Sequence, residues 1–172
     1  MKRDLSYLIK PASADCNLYC DYCFYRKTAA TYAETAFHRM SLDTFGTLAR
    51  KAYEYAPQAA GYAFQGGEPM LMGLEFYERI LDIQEEYRRA GQNITNSIQT
   101  NAILIDDRWA KFFAENQFLV GVSLDGPKEL HDLHRFTRSR TGVHSLVMEA
   151  CKLLETHGAE FNILAVVTAQ TA

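Results

Sequence analysis

The 172 residues carry 48% hydrophobic and 23% charged side chains and a formal net charge of -3, enough chain and apolar surface for one domain with a real core. That charge excludes a polyelectrolyte attraction to nucleic acid. The longest apolar runs have strand length and exclude a membrane-spanning helix, and no apolar leader follows Lys2 and Arg3, so a cytoplasmic, reducing setting is expected.

Leu5 to Lys10 alternates apolar and polar residues and is predicted as a strand. Pro11 ends it, and Cys16-Asn17-Leu18-Tyr19-Cys20-Asp21-Tyr22-Cys23 follows. Residues 26 to 40 have no clear period and are expected to be loop. Ser41 suits a helix N-cap, with Phe45, Leu48, Ala49, Ala52 and Tyr53 on one apolar face and Pro57 just beyond its end. Gly61 to Gln65 is a second predicted strand, broken by Gly66-Gly67-Glu68-Pro69. Phe76, Ile80, Ile83 and Tyr87 share one helix face, and Gly91 is expected to close that helix. Ile94 to Gln99 is a third strand, followed by Thr100-Asn101. Trp109, Phe112 and Phe113 mark the next helix. Phe118 to Leu124 is a fourth strand, ended by Asp125-Gly126-Pro127. His144 to His157 is helical with Gly158 at its end, and Phe161 to Val167 is the fifth strand.

Strands alternating with helices imply an α/β fold with parallel pairing and right-handed crossovers. A doubly wound sheet and a β/α barrel both fit. No GxGxxG or Walker loop follows the first strand, which argues against a dinucleotide or P-loop fold. After each of the first four strands comes a Cys-, Gly-, Pro- or polar-rich motif, at 16–23, 66–69, 99–101 and 123–127. In parallel α/β folds the C-terminal strand ends build the active site.

Three of the four cysteines lie within eight residues, spaced C-x3-C-x2-C, and the fourth, Cys151, lies far away in a helical stretch. Disulfides would leave one of the three unpaired. Two metal readings stay open. Structural zinc could recruit His38 into a Cys3His set. A four-iron cluster held by Cys16, Cys20 and Cys23 would leave one iron open to a small molecule, a site suited to chemistry.

C-x3-C-x2-C with the aromatic Tyr22 before the last cysteine resembles the signature of the radical S-adenosylmethionine (SAM) enzymes. Residues 10–25 as a whole resemble the anaerobic sulfatase-maturating enzymes, a branch with an additional C-terminal cluster region called SPASM. The resemblance implies a partial (β/α)6 radical SAM barrel, truncated after about strand five. Residues 1–172 would be a radical SAM core domain, incomplete because the SPASM region is absent. It implies a [4Fe-4S] cluster on Cys16, Cys20 and Cys23, with SAM chelating the open iron. Reduction would cleave SAM to a 5′-deoxyadenosyl radical.

Other motifs take their roles from the same resemblance. Gly-Gly-Glu-Pro is similar to the element that holds the SAM amino group, which implicates Gly66, Gly67 and Glu68. Glu68 could orient the loop or meet the amino group itself. Ser-Leu-Asp-Gly-Pro followed by His-Asp-x-x-Arg resembles the pattern in which a serine and an arginine contact SAM, here Ser123 and Arg135. Tyr22 would pack near the adenine. From the residues alone, a Gly-Gly pair is more readily a simple tight turn, and an arginine on a polar loop is ordinarily solvated. Arg138 and Arg140 are expected to be solvated. Gln65, Gln99 and Asn101 could line a SAM and substrate cavity or cap free backbone groups. His131 and His134 lack metal-ligand spacing and are expected in loop or structural roles. Where the family often reads Gln-Thr-Asn-Gly, this sequence has Ala102.

The function implied is oxidation of a cysteine or serine of a sulfatase polypeptide to Cα-formylglycine, fed by an electron donor such as flavodoxin or ferredoxin. The general base and auxiliary-cluster cysteines are expected in the absent C-terminal region, so no catalytic residue is assigned within the chain. Two alternatives stand beside it. One is a SPASM-type maturase that crosslinks peptides through thioethers or other bonds. The other is a zinc-stabilised binding module without catalysis.

Overall fold

The computed structural model describes residues 4–32 and 38–169. Its centre is a five-stranded parallel sheet of β1 (Asp4–Ile9), β2 (Ala59–Phe64), β3 (Asn93–Thr100), β4 (Leu119–Ser123) and β5 (Phe161–Leu164), in the spatial order β1-β2-β3-β4-β5. Every strand lies beside its sequence neighbours. A doubly wound sheet turns back past its first strand, and this one never does. The sheet is therefore the wall of a partial β/α barrel, which settles the choice that the alternation of elements left open.

The two faces of the wall differ in chemistry. Ile9, Phe64, Ile98, Val120 and Phe161 form one row through successive register pairs, and all belong to or pack on the main core. Over them lie α2 (Leu42–Tyr55), α3 (Leu74–Tyr87), α4 (Asp107–Glu115) and α6 (His144–His157). Phe45, Tyr77 and Phe113 from these helices meet Tyr62, Phe64 and Phe118, and Trp109 packs on Tyr77 and Phe113. Full burial of each such ring contributes on the order of 1.5–3 kcal/mol. The alternate strand positions face the concave side and mix small, polar and exposed leucine side chains. There Leu8, Ala63, Ser97 and Leu119 form the matching row.

Local signals account for the helix ends. Ser41 Oγ accepts from the Thr44 N–H at 3.1 Å, and Asp106 Oδ1 accepts from the Trp109 N–H at 2.9 Å, each satisfying a donor the first turn leaves over. Gly158 ends α6 in the left-handed region, at φ 72°.

Four expectations need correction. Two short helices, α1 (Phe24–Ala29) and α5 (Lys128–His134), occur where loop was expected. Neither is long enough to show an apolar period, α1 buries nothing, and α5 buries His131 and His134. Residues 33–37 of the first of these stretches lie outside the described residues. The buried face of α3 is Tyr77, Ile80 and Gln84, with Phe76, Ile83 and Tyr87 only flanking it. Gln84 is admitted because its amide exchanges two hydrogen bonds with Asn96, at 2.9 and 3.0 Å, and a buried amide so paired carries no desolvation penalty that apolar counting would register. That helix stops at Tyr87 with extended Arg88 as its cap, and Gly91 lies in the following turn. Finally, β5 ends at Leu164 rather than Val167. Among the described residues no helix is long and apolar enough to cross a membrane.

Candidate functional site

The four motif-bearing loops meet at the C-terminal strand ends, as the shared-face expectation requires. The cysteine loop has no regular structure before α1, and its backbone is held by its neighbours. On one flank, Gly67 N–H donates to Ser13 O at 2.8 Å and Glu68 N–H to Asp15 O at 2.6 Å. A Cβ on Gly67 would overlap the Asp15 carbonyl oxygen, and one on Gly66 would stand 2.7 Å from Ser13 O. Both glycines are thus demanded by the cysteine loop lying against them. On the other flank, Tyr19 N–H donates to Phe136 O at 2.8 Å and Asp21 N–H to His134 O at 3.3 Å.

Glu68 is completely buried. Its carboxylate accepts from the Met70 N–H, the Thr100 hydroxyl and the Asn101 N–H, at 2.9, 2.8 and 2.8 Å. Of the two roles open to Glu68, the structure displays the orienting one: it ties the loop after β2 to the end of β3. Burial raises its carboxyl to about 7 despite these three donors.

Cys16 is exposed, Cys23 half-buried and Cys20 buried. Burial around the sulfurs pushes the Cys16 thiol up to about 12 and the Cys20 thiol to about 11, although the nearby Arg135 charge draws Cys20 down. Binding of a cation would be coupled to loss of the thiol protons. Cys16 and Cys23 line a cavity of about 890 Å³ with Asn17, Arg26, Lys27 and Arg138. Among the described residues, no three Cys, His, Asp or Glu side chains converge as one metal ion would need. A cluster of several irons accepts sulfurs spread further apart. Three thiols beside three cationic side chains therefore fit an anionic iron–sulfur group. His38 stacks on Tyr32, with ring centroids 4.3 Å apart.

Tyr22, Asp125 and Arg135 form a buried network. The Arg135 Nε donates to Asp125 Oδ2 at 2.7 Å and its Nη2 to Oδ1 at 3.1 Å. The Tyr22 hydroxyl also donates to Asp125 Oδ2. Arg135 caps α5 and is buried, unlike the solvated arginine that a polar loop ordinarily carries. Its charge is tolerated there because Asp125 supplies a bidentate partner. The hydrogen bonds from Arg135 hold the Asp125 carboxyl below its ordinary range despite the desolvation that opposes this. Burial and the bond to Asp125 hold the Tyr22 phenol protonated well above its ordinary range. His131 Nδ1 accepts from the Asp125 N–H at 3.2 Å, so its role is structural, and burial lowers it to about 4.

The remaining candidates divide. Gln65 and Gln99 line a separate concave cavity of about 190 Å³, and Gln99 Nε2 donates to Ser123 Oγ at 3.1 Å. The Gln99 side chain lies across Gly121, where a Cβ would strike its Oε1. Asn101 turns to the cysteine loop instead, donating to Asn17 Oδ1 at 2.8 Å. Arg138 is exposed, as expected, at the rim of the large cavity, and Arg140, also exposed, lies 4.3 Å over the Phe136 ring. Sequence reasoning gave no role to Asp125 or Arg26. Arg26 donates to Cys20 O at 3.3 Å and stacks 3.6 Å over Tyr19. Asp125 could have been suspected from an acidic residue at the end of an apolar strand ten positions before an arginine.

Together these features define a parallel β/α-barrel wall whose first strand–helix connection carries a three-cysteine loop. Residues 11–171 match the Radical SAM superfamily, and the chain belongs to it. It is 45% identical over 168 residues to the cysteine-type anaerobic sulfatase-maturating enzyme of Clostridium perfringens (strain 13 / Type A), covering 98% of this chain and 45% of that protein. It is 40% identical over 170 residues to the serine-type enzyme of Bacteroides thetaiotaomicron, covering 96% of this chain and 40% of that one. The solved structure of native anSMEcpe with bound AdoMet and Cp18Cys peptide superposes with a TM-score of 0.90 at 43% identity, over 98% of this chain and 45% of that chain. The chain thus spans about half the length of the curated relatives it matches.

Proposed function

We propose that this chain is the cluster-bearing and SAM-binding part of an anaerobic sulfatase-maturating enzyme, which oxidises a cysteine or serine of a sulfatase polypeptide to Cα-formylglycine. The observation that carries the reading is the cysteine loop itself: three thiols on an irregular segment, clamped from both flanks at the mouth of a barrel wall. The kinship with both cysteine-type and serine-type maturating enzymes supports the choice of reaction.

Cys16, Cys20 and Cys23 would hold a [4Fe-4S] cluster. When bound, the cluster and SAM supply a 5′-deoxyadenosyl radical that removes one Cβ hydrogen from the target residue. Gly66 and Gly67 bring backbone close to the amino group of SAM, while Glu68 fixes that backbone from behind. Tyr22, held by Asp125, offers a ring to the adenine. Ser123 and the Arg135 donors not engaged by Asp125 would meet the carboxylate of SAM. Gln65 and Gln99 would line the path of the peptide. Completing the oxidation removes a second electron and a side-chain proton, which gives the aldehyde directly from serine and a thioaldehyde from cysteine that water hydrolyses with release of hydrogen sulfide. The base and acceptor for that proton and electron belong, in this reading, to a SPASM region matching the remaining length of the relatives. An electron donor of the flavodoxin or ferredoxin type would reduce the cluster in the cytoplasm, and neither nucleic acid nor membrane takes part.

Anaerobic iron, sulfide and zinc analysis, with EPR of the reduced protein with and without SAM, tests the first half. About four irons per chain and a spectrum altered by SAM are expected. One zinc without iron would overturn the reading and leave a structural metal site. Replacing the matching segment of the Clostridium perfringens relative by residues 11–171 tests the second half. The chimera should convert a sulfatase peptide to formylglycine. SAM cleavage with no peptide oxidation would point to a crosslinking maturase instead.

A further inference from the structure

Asn101 follows the last residue of β3 and is buried. Its side-chain amide is fixed at three points. Oδ1 accepts from the Ile103 N–H at 3.2 Å, and Nδ2 donates to Asn17 Oδ1 at 2.8 Å. The second Nδ2 hydrogen faces Cys16 Sγ, at 3.7 Å. A flipped amide would set donor against donor at Ile103 and oxygen against oxygen at Asn17, so only one orientation satisfies the site. The backbone is pinned as well, since the Asn101 N–H donates to Glu68 Oε2. Cys16 Sγ also receives the Leu18 N–H at 3.4 Å. Among the described residues, these are the N–H bonds to sulfur within the cysteine loop, and both go to Cys16.

We propose that Asn101 is a positioning residue whose amide donates a hydrogen bond to the Cys16 thiolate and so raises the reduction potential of the bound cluster. The inference rests on the cluster reading above. An N–H directed at a ligand sulfur withdraws charge from it and favours the reduced, more negative cluster. Leu18 supplies one such bond from the backbone of the loop. Asn101 adds one from another strand, so the potential depends on how the end of β3 is held, and hence on Glu68.

The test is an EPR-monitored redox titration of the reconstituted protein and of Asn101→Ala, Asn101→Asp and Asn17→Ala. Asn101→Ala should lower the midpoint, reducing the equilibrium between reduced and oxidised cluster about tenfold, ~59 mV for one electron. Asn101→Asp keeps the shape and replaces the donor by an anion, so its shift should be larger in the same direction. Asn17→Ala removes a partner of the amide and an oxygen beside Cys16 Sγ but no N–H donor to the sulfur, so its shift should be smaller than that of Asn101→Ala. Unchanged midpoints in both Asn101 variants would overturn the inference. So would an equal shift in Asn17→Ala, which would mean that Asn101 acts only through the shape of the loop. Folded Asn101 variants that take up no iron would also overturn it, making the residue a requirement for loading. If the parent protein itself binds no iron, the cluster reading fails first and is recognised by that result.

Discussion

Between sheet and helices, Phe64 meets Tyr77 edge to face at 5.3 Å and Phe113 lies 5.6 Å from Phe118. At the strand ends, Glu68, Asp125, Arg135 and Asn101 are buried nearly as deeply, yet they act through hydrogen bonds to backbone and to one another. The apolar layer is held by a non-directional force that scales with area, and many side chains share it. The rim is held by directional bonds, each of which fixes one group in one place. A fault in the first region therefore lowers stability and spares the geometry of the loops. A fault in the second distorts the loops at little cost to the whole.

Substitutions can break that contrast. Phe113→Ala, in the apolar layer, should cost about 3–5 kcal/mol in urea unfolding, while the protein that remains folded takes up iron as before. Gly67→Ala should do the reverse. Its methyl group displaces the Asp15 carbonyl, so iron uptake should fall to background, while the unfolding midpoint moves less than in Phe113→Ala. Iron retained at the parent level in Gly67→Ala would show that the cysteine loop tolerates displacement and would remove the contrast.

A pH series sharpens it. Because Glu68 is raised in the folded state from 4.5 to about 7, the folded protein binds more protons than the unfolded chain between those values. Its stabilising contribution is complete below about 4.5 and is lost as pH rises through about 7. His131, lowered by burial to about 4, works in the opposite direction over the lower part of that window, so the urea midpoints of the parent should fall with pH relative to those of Glu68→Gln. The smallest effect concerns Ala102, which has φ 66° and is fully buried. Relief of left-handed strain in Ala102→Gly, ~1–2 kcal/mol, is offset by the lost methyl and the freer unfolded chain. Its unfolding midpoint should barely move. Ala110→Gly, at an equally buried site within α4, gains no such relief and should be destabilised by about 1–2 kcal/mol.

The same division governs what the sequence disclosed. Strands and the long helices were legible because burial imposes a period, as in Phe45-Leu48-Ala49-Ala52 over α2. The three cysteines and Gly66-Gly67 were legible because their chemistry is rare. Sheet order was not, since alternation of elements is common to barrels and doubly wound sheets. The roles of Asp125 and Asn101 were hidden for another reason. Their partners, Tyr22 and Asn17, lie 103 and 84 positions away, and no local pattern encodes a hydrogen bond across that distance. Gln84 was passed over because a satisfied polar group is buried as readily as an apolar one.

The consecutive strand order has a consequence for synthesis. Each strand that emerges finds its partner already made, so the wall can grow from the N-terminus one unit at a time. The cysteine loop cannot mature on that schedule. Its first flank waits for the Gly66–Glu68 turn, and its second waits for Asp125 and the segment 134–136. The cysteines are thus made before the segments that set them in place. A nascent chain that has not reached residue 136 would expose the three thiols without the clamps that hold them. Iron, in the proposed reading, would then be best delivered after the segment that follows the fourth strand has docked.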